Sequence, residues 1–180
     1  FAVLIVFLLI RPEGFFGKKN REKIYLKMRI YCDMNIYNRC FDDQGQLKIR
    51  LETSAIESLF SLIEDGRFTC LWSFILDYEN KLNPFKERKR VVNVMSCICK
   101  ESVIPSQRII EVSKEIIKRT NVSPRDALHL ASAEVGNCKY FVTCDDRLIK
   151  KVKTGKPGLK IKQINPIDLV RMEVIKNAEN

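Results

Sequence analysis

Four acidic residues carry the chemistry that this sequence could do: Asp33, Glu79, Asp126 and Asp145. Asp33 directly follows the apolar run "RIYC", and Asp145 and Asp146 follow "YFVTC". Glu79 lies about two turns into the helix predicted after "FTCLW", and Asp126 lies in the first turn of the helix that feeds Tyr140. Carboxylates gathered on one edge repel one another and raise each other's pKa. A hard divalent cation relieves that repulsion, and oxygen ligands suit Mg²⁺ or Mn²⁺. The reaction such a cluster supports is hydrolysis of a phosphodiester by in-line attack of an activated water. Each acid also has a plainer use. Asp126 sits where it would close a capping box with Ser123, either Asp145 or Asp146 can cap "RLIKKVK", and Glu79 competes with Asp77 on one helix. Asp33 is the hardest to assign to a turn. The shared edge, more than any single acid, points to a site.

The elements that must position these acids alternate along the chain. Short apolar runs predict strands at residues 29–32, 68–72, 101–105, 140–143 and 159–164. Between them, helical spacing marks 47–65, 74–83, 86–99, 106–120, 124–135 and 147–153, with a closing helix over 165–176. Ser73 is placed to cap the second of these and Pro84 to break it. Ser123 is the N-cap of the helix opened by Pro124, and Gly136 is its terminator. Strands separated by helices imply a parallel sheet with right-handed crossovers and helices on both faces. The expected class is α/β, a three-layer α/β/α sandwich around four to five strands, with residues 28–180 as a single domain. In such sheets a site forms at the carboxyl ends of the strands, where the strand order reverses.

Composition narrows the partners. The 180 residues carry a formal net charge of +10, which favours a polyanionic partner: RNA, DNA or an anionic membrane. The basic segments "FKERKR" (85–90) and "KKVKTGKPGLKIK" (150–162) could guide phosphates toward the acidic edge. Trp72 and Phe85 either stack on bases or pack internally. Seven cysteines, an odd count with no C-x-x-C, argue against a disulfide framework and for a reducing cytoplasm. A single histidine, His129, argues against a Cys/His zinc cluster. It lies three residues after Asp126 on the same helical face, where it either orients a carboxylate or sits satisfied in the core. The opening "FAVLIVFLLI" is too short to span a bilayer. Residues 1–27 read as a leader: an over-extended frame, a disordered segment or the remnant of a signal or anchor. No membrane association is expected for 28–180.

With these residues in hand, the sequence resembles the PIN-domain family of metal-dependent nucleases, over most of the stretch from Met28 to about Lys153. "MRIYCDMNIYNRCFDD" resembles the family's opening strand with its first acid. "CLWSFILDYE" resembles the segment in which a Ser precedes the second acid by six residues, which selects Glu79 over Asp77. "PRDALHLASAEVGNCKYFVTCDDRLIK" resembles the third acid, small-residue helix and T-x-D strand ending, and is the most specific of the three. The resemblance implies that Asp33, Glu79, Asp126 and Asp145 are the catalytic, metal-holding quartet, supported by Asn35, Thr143 and Asp146. It also implies an endoribonuclease acting with Mg²⁺ or Mn²⁺ on single-stranded RNA, with DNA as an alternative substrate. Many small relatives are VapC-like toxins, which would add an antitoxin protein and a homodimer as partners. "FDDQ" (41–44), with Arg50 and Glu52 after it, resembles a subgroup of the family; Asp42 and Asp43 would extend the metal site, bind Arg50 or serve structure. The rival classes are a non-catalytic nucleic-acid-binding module with the same fold, a phosphatase-like fold, and a cysteine hydrolase using Cys144 and His129. For the second, strands three and four offer no lysine near the aspartate; for the third, nothing suggests an oxyanion arrangement.

Overall fold

The computed structural model describes residues 28–178; the expected leader, residues 1–27, lies outside them. In chain order the elements are β1 (Met28–Cys32), α1 (Met34–Asn38), a 3₁₀ turn (Arg39–Phe41), α2 (Leu47–Glu64), β2 (Phe68–Ser73), α3 (Phe74–Leu82), α4 (Lys86–Ser96), β3 (Glu101–Val103), α5 (Gln107–Thr120), α6 (Pro124–Val135), β4 (Tyr140–Val142), α7 (Asp146–Gly155), β5 (Lys162–Ile164) and α8 (Pro166–Ala178). Five strands form one sheet in the order β3-β2-β1-β4-β5, and all neighbours run parallel.

β1 is central, and its interior residues Ile30, Tyr31 and Cys32 are fully buried, as a parallel sheet covered on both faces requires. From β1 the chain steps outward through β2 to β3. It then crosses back to β4 and continues outward to β5 on the other side. With right-handed crossovers, the two directions of travel place their helices on opposite faces. The packing agrees: α2 lies against α8, while α5 lies against α6 and α7. The expected three layers and five strands are therefore present.

The strand order reverses between β1 and β4. There, at the carboxyl edge, the Asp33 amide donates to the Val142 carbonyl at 2.9 Å, and Thr143 N to the Ile164 carbonyl at 3.0 Å. Two caps stand where expected but work differently in detail. Ser73 holds the N-cap position of α3 but its hydroxyl makes no cap bond; it is turned inward to Tyr31. Gly136 ends α6 with an ordinary φ of −70°, and the left-handed residue is Asn137 at φ 54°. Glycine is needed at 136 for room, because a Cβ there would stand 2.6 Å from Leu71 Cδ2. Among the described residues no helix is long and apolar enough to cross a membrane.

Candidate active site

Asp33 is the N-cap of α1, so the residue that ends β1 also starts a helix. Its Oδ1 accepts from Met34 N at 2.8 Å. Its Oδ2 accepts from Asn35 Nδ2 at 2.6 Å and from the Thr143 hydroxyl at 2.8 Å. Asn35 in turn donates to Thr143 Oγ1 at 2.8 Å and accepts from Cys144 N at 3.1 Å. The ends of β1 and β4 are thus stitched together around one carboxylate. Burial pushes the Asp33 carboxyl above its ordinary value of 3.8; the Thr143 hydroxyl and the Met34 amide pull it down, and the negative charge of Glu79 pushes it further up.

Glu79 arrives from α3 with both oxygens engaged. Oε2 lies 2.9 Å from His129 Nε2, and Oε1 lies 3.3 Å from Arg125 Nε. Asp77 is removed from contention because Trp72 Nε1 donates to its Oδ1 at 2.8 Å. That bond also accounts for Trp72, which is buried in the core. Asp33, Glu79 and His129 each offer a ligand atom within 4.8 Å of the others. Asp126 and Asp145 complete a cavity of about 610 Å³ with Asp33, Asn35, Glu79 and Arg125. Ser123 caps α6 by accepting from Asp126 N at 3.1 Å, which aims that first turn at the cavity. Asp145 is the N-cap of α7: Oδ1 accepts from Arg147 N and Leu148 N at 2.8 and 3.0 Å.

The structure thus brings Asp33, Glu79, Asp126 and Asp145 to one cavity, with Asn35 on its wall and Thr143 behind Asp33. Asp146 goes elsewhere. It lines a neighbouring cavity and pairs with Lys48 at 2.5 Å. The FDDQ segment also lies apart. Asp42 pairs with Arg39 at 2.8 Å, not with Arg50, and Asp43 accepts from Gly45 N. Gln44 donates to the Arg39 and Asp42 carbonyls, and the Arg88 guanidinium lies over the Phe41 ring at 5.3 Å. The same guanidinium is 4.6 Å from the ring of Phe85, a residue more than half exposed. Arg39 then reaches Glu52 at 2.9 Å. These contacts are those of a structural loop.

Two residues around Glu79 escaped the sequence reading. Arg125 stands beside Asp126 at the cavity wall. Tyr31 bonds His129 Nδ1 at 2.8 Å and Ser73 Oγ at 2.5 Å. The available signal was a phenol within a fully buried strand, since a buried tyrosine hydroxyl demands a partner. Burial pushes the Cys144 thiol up to about 12, which disfavours the thiolate that a cysteine nucleophile needs.

Acids at the carboxyl edge of a parallel sheet, at the point where strand order reverses, define a polar α/β site of the kind expected from the sequence. The family comparison agrees with that expectation: residues 71–154 match the PIN domain model. Among solved structures it is similar in fold to VapBC2 from Rickettsia felis, bound to a DNA fragment from their promoter. That likeness has a TM-score of 0.52 at 16% identity, over 77% of this chain and 98% of that one. It is likewise similar to FitAcB from Neisseria gonorrhoeae, with a TM-score of 0.52 at 14% identity, over 76% of this chain and 97% of that one. No curated protein sequence matches it.

Proposed function

We propose that the protein is a metal-dependent endoribonuclease that hydrolyses phosphodiester bonds of single-stranded RNA. The observation that carries this reading is the convergence of Asp33, Glu79, Asp126 and Asp145 on one cavity, in a chain whose residues 71–154 match the PIN domain model. The donor set suits a hard divalent cation. Four carboxylates face one guanidinium in the cavity wall, all offered atoms are oxygens apart from His129, and burial makes the Asp33 charge costly until a cation shares it. Asp33, Asp126 and Asp145 would hold Mg²⁺ or Mn²⁺, with Glu79 either completing that shell or orienting the attacking water. When bound, the cation would supply Lewis-acid stabilisation of charge developing on the phosphodiester oxygens.

The protein's own groups do the positioning. Asn35 and Thr143 fix the Asp33 carboxylate, Asp145 is anchored by the first amides of α7, and Glu79 is held between His129 and Arg125. Arg125, 57% exposed at its side chain, is within the cavity wall where a phosphate of an incoming strand would lie. The net charge of +10 supports attraction of the polyanion. The resemblance to VapC-like toxins, with a fold shared with the VapBC2 and FitAcB structures, supports an antitoxin as protein partner. Seven free thiols suit a reducing cytoplasm.

The test is a cleavage time course on labelled single-stranded RNA and DNA with Mg²⁺, Mn²⁺ or EDTA, run beside Asp33→Asn. Expected is RNA cleavage that needs the cation and falls by at least about a hundredfold in the variant, the scale set by loss of a directly acting group. Cation-independent cleavage, or equal cleavage by the variant, would overturn the reading. Binding of RNA without cutting would replace it with a binding module.

A further inference from the structure

The sole histidine of the chain sits at the end of a buried line of hydrogen bonds that nothing in the reaction chemistry above explains. His129 is 2% exposed and Tyr31 and Ser73 are at most 1% exposed. The line runs from Ser73 at the end of β2, through Tyr31 in β1, to His129 in α6 and then to Glu79 in α3. It spans four elements, and its donors and acceptors admit a single consistent direction around a neutral ring. An ionised carboxylate can only accept, so the proton facing Glu79 Oε2 belongs to His129 Nε2. A neutral imidazole has one N–H, so Nδ1 is then bare and must accept from the Tyr31 hydroxyl at 2.8 Å. The Tyr31 oxygen, having donated, accepts from Ser73. Every dipole in the line points toward Glu79, and such aligned bonds polarise one another.

We propose that Ser73 and Tyr31 set the tautomer of His129, so that this buried relay holds the Glu79 carboxylate in one orientation within the site. His129 and Tyr31 are positioning residues. Resting on the nuclease reading for its purpose, the relay assigns them to Glu79 alone, in the manner of groups that orient a ligand from behind and whose loss costs tenfold to a hundredfold in affinity or activity. It also accounts for Ser73 leaving the cap of α3 unbonded: its hydroxyl is committed to the phenol. The ring of Tyr31 is held in place by near-parallel stacking on Phe141, with centroids 5.6 Å apart at 10°, which makes the hydroxyl position depend on the core and not on solvent.

The test begins with nitrogen NMR of the ¹⁵N-histidine-labelled full chain, where one imidazole gives an unambiguous signal. Expected at neutral pH is a protonated Nε2 and a bare Nδ1; a proton on Nδ1 would overturn the proposal. Tyr31→Phe, nearly isosteric and expected to fold, removes the donor to Nδ1. It should mix the tautomers, weaken Mn²⁺ binding measured by calorimetry by tenfold to a hundredfold, and lower kcat at saturating cation with KM for RNA unchanged. Ser73→Ala should do the same more weakly, and His129→Gln, which keeps a donor, should retain more cation affinity than His129→Leu. Unaltered tautomer and unaltered Mn²⁺ binding in Tyr31→Phe would reduce the line to core packing. The NMR and calorimetric readings need no turnover, so a failed nuclease reading, seen with Asp33→Asn, is distinguishable from a failed relay.

Discussion

Asp33 carries opposed demands. In the proposed metal site it would have to be ionised to hold a cation, yet it is 9% exposed and burial raises its pKa. The sign of the linkage follows. A carboxyl whose folded pKa is raised contributes stability below its ordinary value of 3.8 and loses that contribution as pH rises through the folded value. A cation beside the carboxylate cancels the loss. The melting temperature gained on adding Mg²⁺ to chelator-treated protein should therefore widen from about pH 4 to pH 7. A gain that stays constant with pH would exclude Asp33 from the site that binds the cation. At this scale the sequence was informative about Asp33 and Asp145, because strand ends are legible. Glu79 against Asp77 was not decidable from spacing alone, and the physical reason is the Trp72 indole, a contact made across the start of α3 that no periodicity encodes.

At the scale of elements, the FDDQ turn is held by the ion pair from Arg39 to Glu52 on α2, and Glu52 is wholly buried. Asn165, just before α8, donates to the same carboxylate at 2.9 Å, so one buried charge joins the turn, α2 and α8. Removing Arg39 leaves that buried charge only the exposed Lys48 ammonium, 3.8 Å from Oε1, as a cationic partner. Arg39→Ala should cost about 3–5 kcal/mol in denaturant unfolding, and replacing the pair together, Arg39→Met with Glu52→Leu, should recover most of it. A single substitution within about 0.5 kcal/mol of the parent would mean that water reaches Glu52. Helix and strand positions were largely readable, since apolar spacing and Ser, Pro and Gly signals are local. The roles of their end residues were less so. Ser73 and Gly136 were both read as helix punctuation and both stand at those helix ends, but each also answers to a tertiary contact, one with a phenol in β1 and the other with a leucine in β2.

For the whole molecule, the balance of charge and site predicts how nucleic acid is held. If lysines and arginines around the acidic cavity contact the backbone, each neutralised phosphate of a single strand contributes about −0.7 to the slope of log affinity against log salt. Titration of Asp33→Asn with a short RNA should give a slope steeper than about −2, corresponding to three or more contacts; a flat response would remove the basic surface from recognition. The sheet order was not legible from local pattern, because which strands neighbour β1 is decided by packing across the whole chain. That order has a bearing on synthesis. Ile30 lies beside Cys70 and also beside Tyr140, so β1 must wait for partners made much later. A nascent chain that has reached Glu79 holds two of the four acids, but Asn35 has no Thr143 to meet and the far flank of β1 is open. The acidic edge closes only when the ribosome has delivered β4, and until then the growing chain is an unfinished sheet whose proposed site is incomplete.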